Sequence, residues 1–152
     1  MKDRNLLRIQ QLEDALAPFR AASTAAVPRR GWIRAIREAL GMSSAQLGAK
    51  LEVAPQSIED IQKSEVNGAI KLETLRKLAN AMGCQLVYAI VPLKPLEEIR
   101  RDQAIEVARK TLKRVSHSMQ LEAQGLGEKE EQRALDREVE KLLAGSARRL
   151  WS

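Results

Sequence analysis

The stretch LGAKLEVAPQSIEDIQKSE, residues 47–65, holds two short apolar runs with almost no chain between them. Leu47 and Leu51 mark the first, Ile58 and Ile61 the second, and each pair has helical spacing. Only Glu52-Val53-Ala54-Pro55 separates them. Isolated helices shorter than about 12–15 residues are marginal in water, so each run depends on the other. Two short helices joined by a tight turn and packed across each other make a helix-turn-helix unit. Here Leu47 and Leu51 supply one face, Val53 is expected to plug the turn, and Ile58 and Ile61 supply the opposing face.

With those five residues inside, helical geometry turns Pro55, Gln56, Ser57, Asp60 and Lys63 to solvent. Apart from the proline, these are polar side chains ending in a lysine, a set that suits base edges and phosphates. A glutamine can pair with adenine N6 and N7 at once, which discriminates by about 1–3 kcal/mol. The second helix of the pair is therefore expected to be presented to double-stranded DNA.

The neighbouring sequence supports a helical domain. Ser43-x-x-Gln46 reads as a capping box that opens the first helix of the pair, and Pro55 suits the first turn of the second. Trp32, Ile33, Ile36 and Leu40 mark a preceding helix closed by Gly41, and Leu72, Leu75, Leu78, Ala79 and Met82 a following one. QLVYAIV, residues 85–91, has the composition of one short strand ending at Pro92. No second strand is evident, so its expected partner is the same strand of a second subunit across a two-fold axis; a buried non-strand segment is the alternative.

The flanks are helical too. Leu6, Ile9, Leu12 and Leu16 predict an amphipathic helix over 4–17 that stops near Pro18, and the Ala-rich stretch 17–31 reads as a linker. Beyond Pro95 the spacing predicts one long helix to Met119, a break at Gln124-Gly125-Leu126-Gly127, a last helix through Leu135, Val139 and Leu142, and a frayed tail GSARRLWS. The expected organisation is an N-terminal helix and linker (1–28), the helix-turn-helix domain with its strand (29–92), and a helical extension (93–152). The fold class is mainly all-α.

Charge points to a polyanionic partner. The formal net charge is +6 with a pI near 9.8. Residues 1–40 carry 8 Lys+Arg against 4 Asp+Glu, while residues 41–91 are balanced at 5 and 5, so the surplus lies outside the middle. Arg29 and Arg30 in the linker are placed to reach phosphate or a minor groove, as basic arms do. The few aromatics, Phe19, Trp32, Tyr88 and Trp151, argue against a base-stacking platform. With one cysteine, Cys84, one histidine, His117, and no phosphate loop or metal-ligand spacing, catalysis, a metal and a cofactor are not expected. No apolar stretch is long enough to span a membrane and the start lacks a signal-peptide core, so the expected location is cytoplasmic.

Residues 32–83 resemble the Xre/Cro/C1 helix-turn-helix family of phage repressors and bacterial regulators. The resemblance rests on IREALGMSSAQLGAKLEVAPQSIEDIQ followed by LETLRKLANAMG. It implies a five-helix, lambda-repressor-like domain with Gln56, Asp60 and Pro55 at base-facing positions and Ser57 at a phosphate. Ser44 falls where the family has a backbone-clamping glutamine, with Gln46 beside it. Arg37 falls where the family pairs an arginine with a glutamate, here replaced by Gln62. Three residues depart from the pattern: Pro55 cannot hydrogen bond through its side chain, Ala54 replaces the usual Ser or Thr cap, and Asp60 would repel phosphate unless it accepts from a cytosine amine.

The whole layout, from the leucine-rich first helix through RRGWIRAIREALGM to QLVYAIVPL, is similar to the mobile mystery protein A family. That family is typically encoded beside a Fic-domain partner, which implies an antitoxin-like repressor that regulates its own operon. SMQLEA, residues 118–123, misses the Fic-inhibitor motif at its last position and is read as chance. The expectation is a homodimer on a palindromic operator. The alternative is a toxin-neutralising or scaffold protein whose helical extensions bind the partner.

Overall fold

The structure, a computed structural model, describes residues 2–119 and 127–152. It contains seven α-helices and one short 3-10 turn, and no strand among the described residues. The helices are α1 (Lys2–Ala22), α2 (Trp32–Ala39), α3 (Ser44–Leu51), α4 (Pro55–Val66), α5 (Leu72–Ala81), α6 (Leu96–Met119) and α7 (Glu128–Ala144), followed by the 3-10 turn Ala147–Leu150. The chain forms two compact units, one of residues 22–89 and one of residues 1–21 with 90–152.

The first unit is built on α2 to α5. Ile33, Leu47, Ile58, Leu78 and Met82 form its buried centre, and Ile36, Leu51, Ile61 and Leu75 pack against it. Each fully buried Leu or Ile contributes about 1.5–3 kcal/mol, so four short helices suffice for a core. The capping box at Ser43 forms as its sequence predicts: Ser43 Oγ accepts from Gln46 N at 3.1 Å, and Gln46 Oε1 accepts from Ser43 N at 2.8 Å.

The second unit pairs α6 with α7. Ala104 and Ala108 of α6 are fully buried, leaving room for Val139 of α7 and for Leu150. α1 joins this unit through Glu13, whose Oε1 accepts from Leu96 N at 2.7 Å. That bond supplies an acceptor at the start of α6, where the first amides have no partner in the helix.

The structure corrects four expectations. α1 does not stop at Pro18 but continues to Ala22. A proline inside a helix removes one bond and costs about 3 kcal/mol; the Arg20–Glu13 ion pair at 2.5 Å spans the defect, and alanines follow it. Val53 does not plug the turn: it is 39% exposed, and its backbone holds the turn instead. The tail is not frayed, because Leu150 is fully buried and its carbonyl accepts from Gln103 Nε2 at 2.7 Å. Residues 85–91 are not the buried segment of the alternative reading: Val87, Tyr88 and Ile90 are exposed, and no strand forms within the chain among the described residues. A strand needs a partner ladder, which the chain does not supply among the described residues. Residues 124–126 of the predicted break and part of the 118–123 motif lie outside the described residues.

Candidate nucleic-acid interface

The turn between α3 and α4 is set by backbone contacts. Val53 N donates to Gly48 O at 2.9 Å, and a Cβ on Gly48 would sit 2.6 Å from Val53 O. Only a residue without a side chain allows the chain to return so closely. Glu52, which ends α3, adopts the left-handed conformation at φ 56°, a strained position for a residue with a Cβ. α4 then starts at Pro55, whose missing N–H costs nothing in a first turn.

Two polar links hold α4 to α2. In the first, the buried Arg37 donates from Nη1 to Met42 O at 2.7 Å and from Nη2 to Gln62 Oε1 at 3.2 Å. Gln62, 3% exposed, returns its own Nε2 to Ile58 O at 3.1 Å. The Gln62 amide oxygen serves as a neutral acceptor for the guanidinium. In the second link, Glu65 of α4 caps α2. Its Oε1 accepts from Trp32 N at 2.7 Å and its Oε2 from Ile33 N at 3.1 Å. The residue before α2 is Gly31, at φ +83°, where a Cβ would lie 2.6 Å from Glu65 Oε2.

The outer face of α4 carries the predicted residues. Pro55, Gln56, Asp60 and Lys63 are exposed and Ser57 is half-buried. Gln56 Nε2 donates to Asp60 Oδ1 at 3.2 Å, and Lys63 Nζ lies 3.8 Å from the same oxygen. Asp60 thereby orients the Gln56 amide, leaving Oε1 and one N–H of that amide to face outward. Both polar atoms needed for an adenine edge remain available.

Other predicted residues are already engaged. Ser44 donates its hydroxyl to Glu59 Oε1 at 2.5 Å, so that proton is not free for a phosphate. Gln46 spends its oxygen on the capping box and keeps its NH2. Arg29 and Arg30 are exposed and line, with Lys63, Arg34 and Asn67, a cleft of about 290 Å3 beside the second half of α4. Arg34 is committed to Glu38 at 2.7 Å; this bond, aided by the charges of Arg30 and Arg37, holds the Glu38 carboxyl below the usual range.

Sequence reasoning missed Glu59 and Glu65. The signal for Glu65 lies at the other end of its bond: α2 begins after Gly31 with no Ser, Thr, Asp or Asn cap, so its amides call for a distant acceptor.

Residues 33–88, just over a third of the chain, match a family model described as helix-turn-helix. Neither the curated proteins nor the solved structures compared with the chain match it. The geometry and this match together define a helix-turn-helix domain of the kind carried by DNA-binding regulators. No helix among the described residues is long and apolar enough to cross a membrane, and none of their His, Cys, Asp or Glu side chains cluster as metal ligands.

Proposed function

We propose that this chain is a sequence-specific transcriptional repressor that binds a palindromic operator as a homodimer. The observation that carries the reading is the exposed Gln56–Asp60–Lys63 row on a helix held by α3 and locked to α2. α4 enters the major groove, Gln56 reads a base with Asp60 fixing its amide, and Ser57 and Lys63 meet phosphates. Arg29 and Arg30 take a neighbouring phosphate in their cleft or reach into the minor groove. Ser44 and Gln46 lie along the backbone at the start of α3, where the helix amides add to phosphate attraction.

Dimerisation supplies the second half-site. The unpaired apolar segment 85–91, with Val87, Tyr88 and Ile90 exposed, favours antiparallel pairing between two copies. Half-sites then lie about 34–36 Å apart. The resemblance to the mobile mystery protein A family supports an antitoxin-like role, in which the repressor controls its own operon beside a Fic-domain partner.

Selection of sites from a random duplex library, at low and at physiological salt, tests the reading. An inverted repeat that survives physiological salt is the expected result. Gln56→Ala should relax one position in each half-site, whereas Lys63→Ala should weaken all sequences alike and reduce the salt slope. Salt-labile binding without sequence preference would overturn the assignment.

A further inference from the structure

A second cleft lies wholly within the unit of residues 1–21 and 90–152, between α1, α6 and the end of α7. Its volume is about 380 Å3, within the range of small-molecule sites of about 300–1,000 Å3. Arg4 and Arg8 of α1 and Arg100 and Arg101 of α6 line it together with Glu97 and Glu140, four positive charges against two negative. Arg101 is spoken for, since its Nη1 lies 3.5 Å from Glu140 Oε1. Arg4, Arg8 and Arg100 form no ion pair among the described residues. Arg100 Nε is buried without an acceptor, as is the Nε of Arg37, so the part of Arg100 that a ligand can meet is the outer end of its guanidinium.

We infer that this cleft binds a small organic phosphate. Guanidinium forks match phosphate oxygens in bidentate fashion, and three of them lining one cleft offer more donors than the one remaining carboxylate, Glu97, can accept. The cleft has room for more than a bare phosphate ion. Leu6 and Leu143 line it as well, giving an apolar surface for a carbon skeleton. A ligand held by Arg4, Arg8 and Arg100 bridges α1 to α6, so binding fastens the N-terminal half of α1 to its unit. The inference is independent of DNA reading, which rests on residues 22–89.

The test follows the Arg Nε–H resonances of the full chain by NMR during titration with adenosine monophosphate, glucose 6-phosphate and phosphoenolpyruvate. Adenosine, glucose and inorganic phosphate are titrated alongside, all at millimolar concentration and physiological chloride. At least one organic phosphate should move the Nε–H resonance of Arg4, Arg8 or Arg100 along a saturable curve, while adenosine and glucose do nothing. Arg100→Gln should weaken that binding about tenfold or more. Arg4→Gln with Arg8→Gln, at exposed positions, should weaken it similarly while leaving the thermal unfolding transition of the chain unchanged. Shifts that stay linear, or that persist unchanged in these variants, would overturn the site. Equal saturation by inorganic phosphate alone would overturn an organic ligand, and no shift with any of the three would overturn the inference altogether.

Discussion

Replacing Glu65 with alanine should loosen α4 from α2 more than its half-exposed position implies. The carboxylate accepts from Trp32 N at 2.7 Å and Ile33 N at 3.1 Å, at a helix start with no local cap. A hydrogen bond to a charged group contributes about 1.5–3 kcal/mol, and loss of a helix cap typically costs about 1 kcal/mol. Trp32 N is exposed, so water replaces part of the first bond. Alanine also returns a few tenths through helix propensity. The net expectation is a loss of about 2–3 kcal/mol. In a unit of this size each kcal/mol moves the melting point by about 4–8 °C, so the transition should fall by about 10–20 °C. Trp32 reports on this unit, and a Trp151→Phe background removes the other indole. Guanidinium unfolding followed by Trp32 fluorescence then measures the loss directly. Glu65→Gln, which keeps one accepting oxygen, should lose about half as much. A Glu65→Ala midpoint within about 0.5 kcal/mol of the parent, the usual scatter of neutral surface changes, would refute the capping argument.

Further substitutions bear on the turn and the buried lock. Gly48→Ala gains about 1 kcal/mol of helix propensity but drives a Cβ to 2.6 Å from Val53 O. Since overpacking costs about 1–3 kcal/mol, a net destabilisation is expected by denaturant unfolding, with weaker DNA binding as the turn shifts. Glu52→Gly relieves the left-handed strain at φ 56° and should stabilise by about 0.5–1 kcal/mol, read as a higher denaturation midpoint with unchanged slope. Arg37→Met removes the donors to Met42 O and Gln62 Oε1 and leaves both acceptors buried, so a loss of about 2–4 kcal/mol is expected in the same assay.

The helix-turn-helix was legible because its period, cap and turn agree: Leu47, Ile58, Ser43 and Pro55 each do what their spacing predicts. Of the predicted face of α4, Gln56, Asp60 and Lys63 stand exposed where helical geometry put them. The errors came where long-range contacts override local signals. Pro18 reads as a stop, yet neighbouring alanines and the Glu13–Arg20 pair carry α1 past it. Val53 reads as core by hydropathy, but the turn closes through backbone atoms and leaves it outside. Leu150 sits between arginines and a tryptophan in a short polar tail, and nothing local announces the space above Ala104 and Ala108 that receives it. The bonds of Glu65 and Glu59 span 33 and 15 residues, beyond the reach of any periodicity.

The division of the chain has a consequence for synthesis. The unit of residues 22–89 is contiguous, whereas the other is made from both sides of it. As the ribosome delivers the chain, α1 emerges before α6 and α7, the other helices of its unit. The middle unit can close as soon as residue 89 is free, but α1 waits for α6, whose last described residues and α7 arrive several seconds later at ~5–20 residues per second. Throughout that interval Ile9 and Leu16 of α1, half-buried in the finished fold, wait on a nascent chain whose middle unit is already complete.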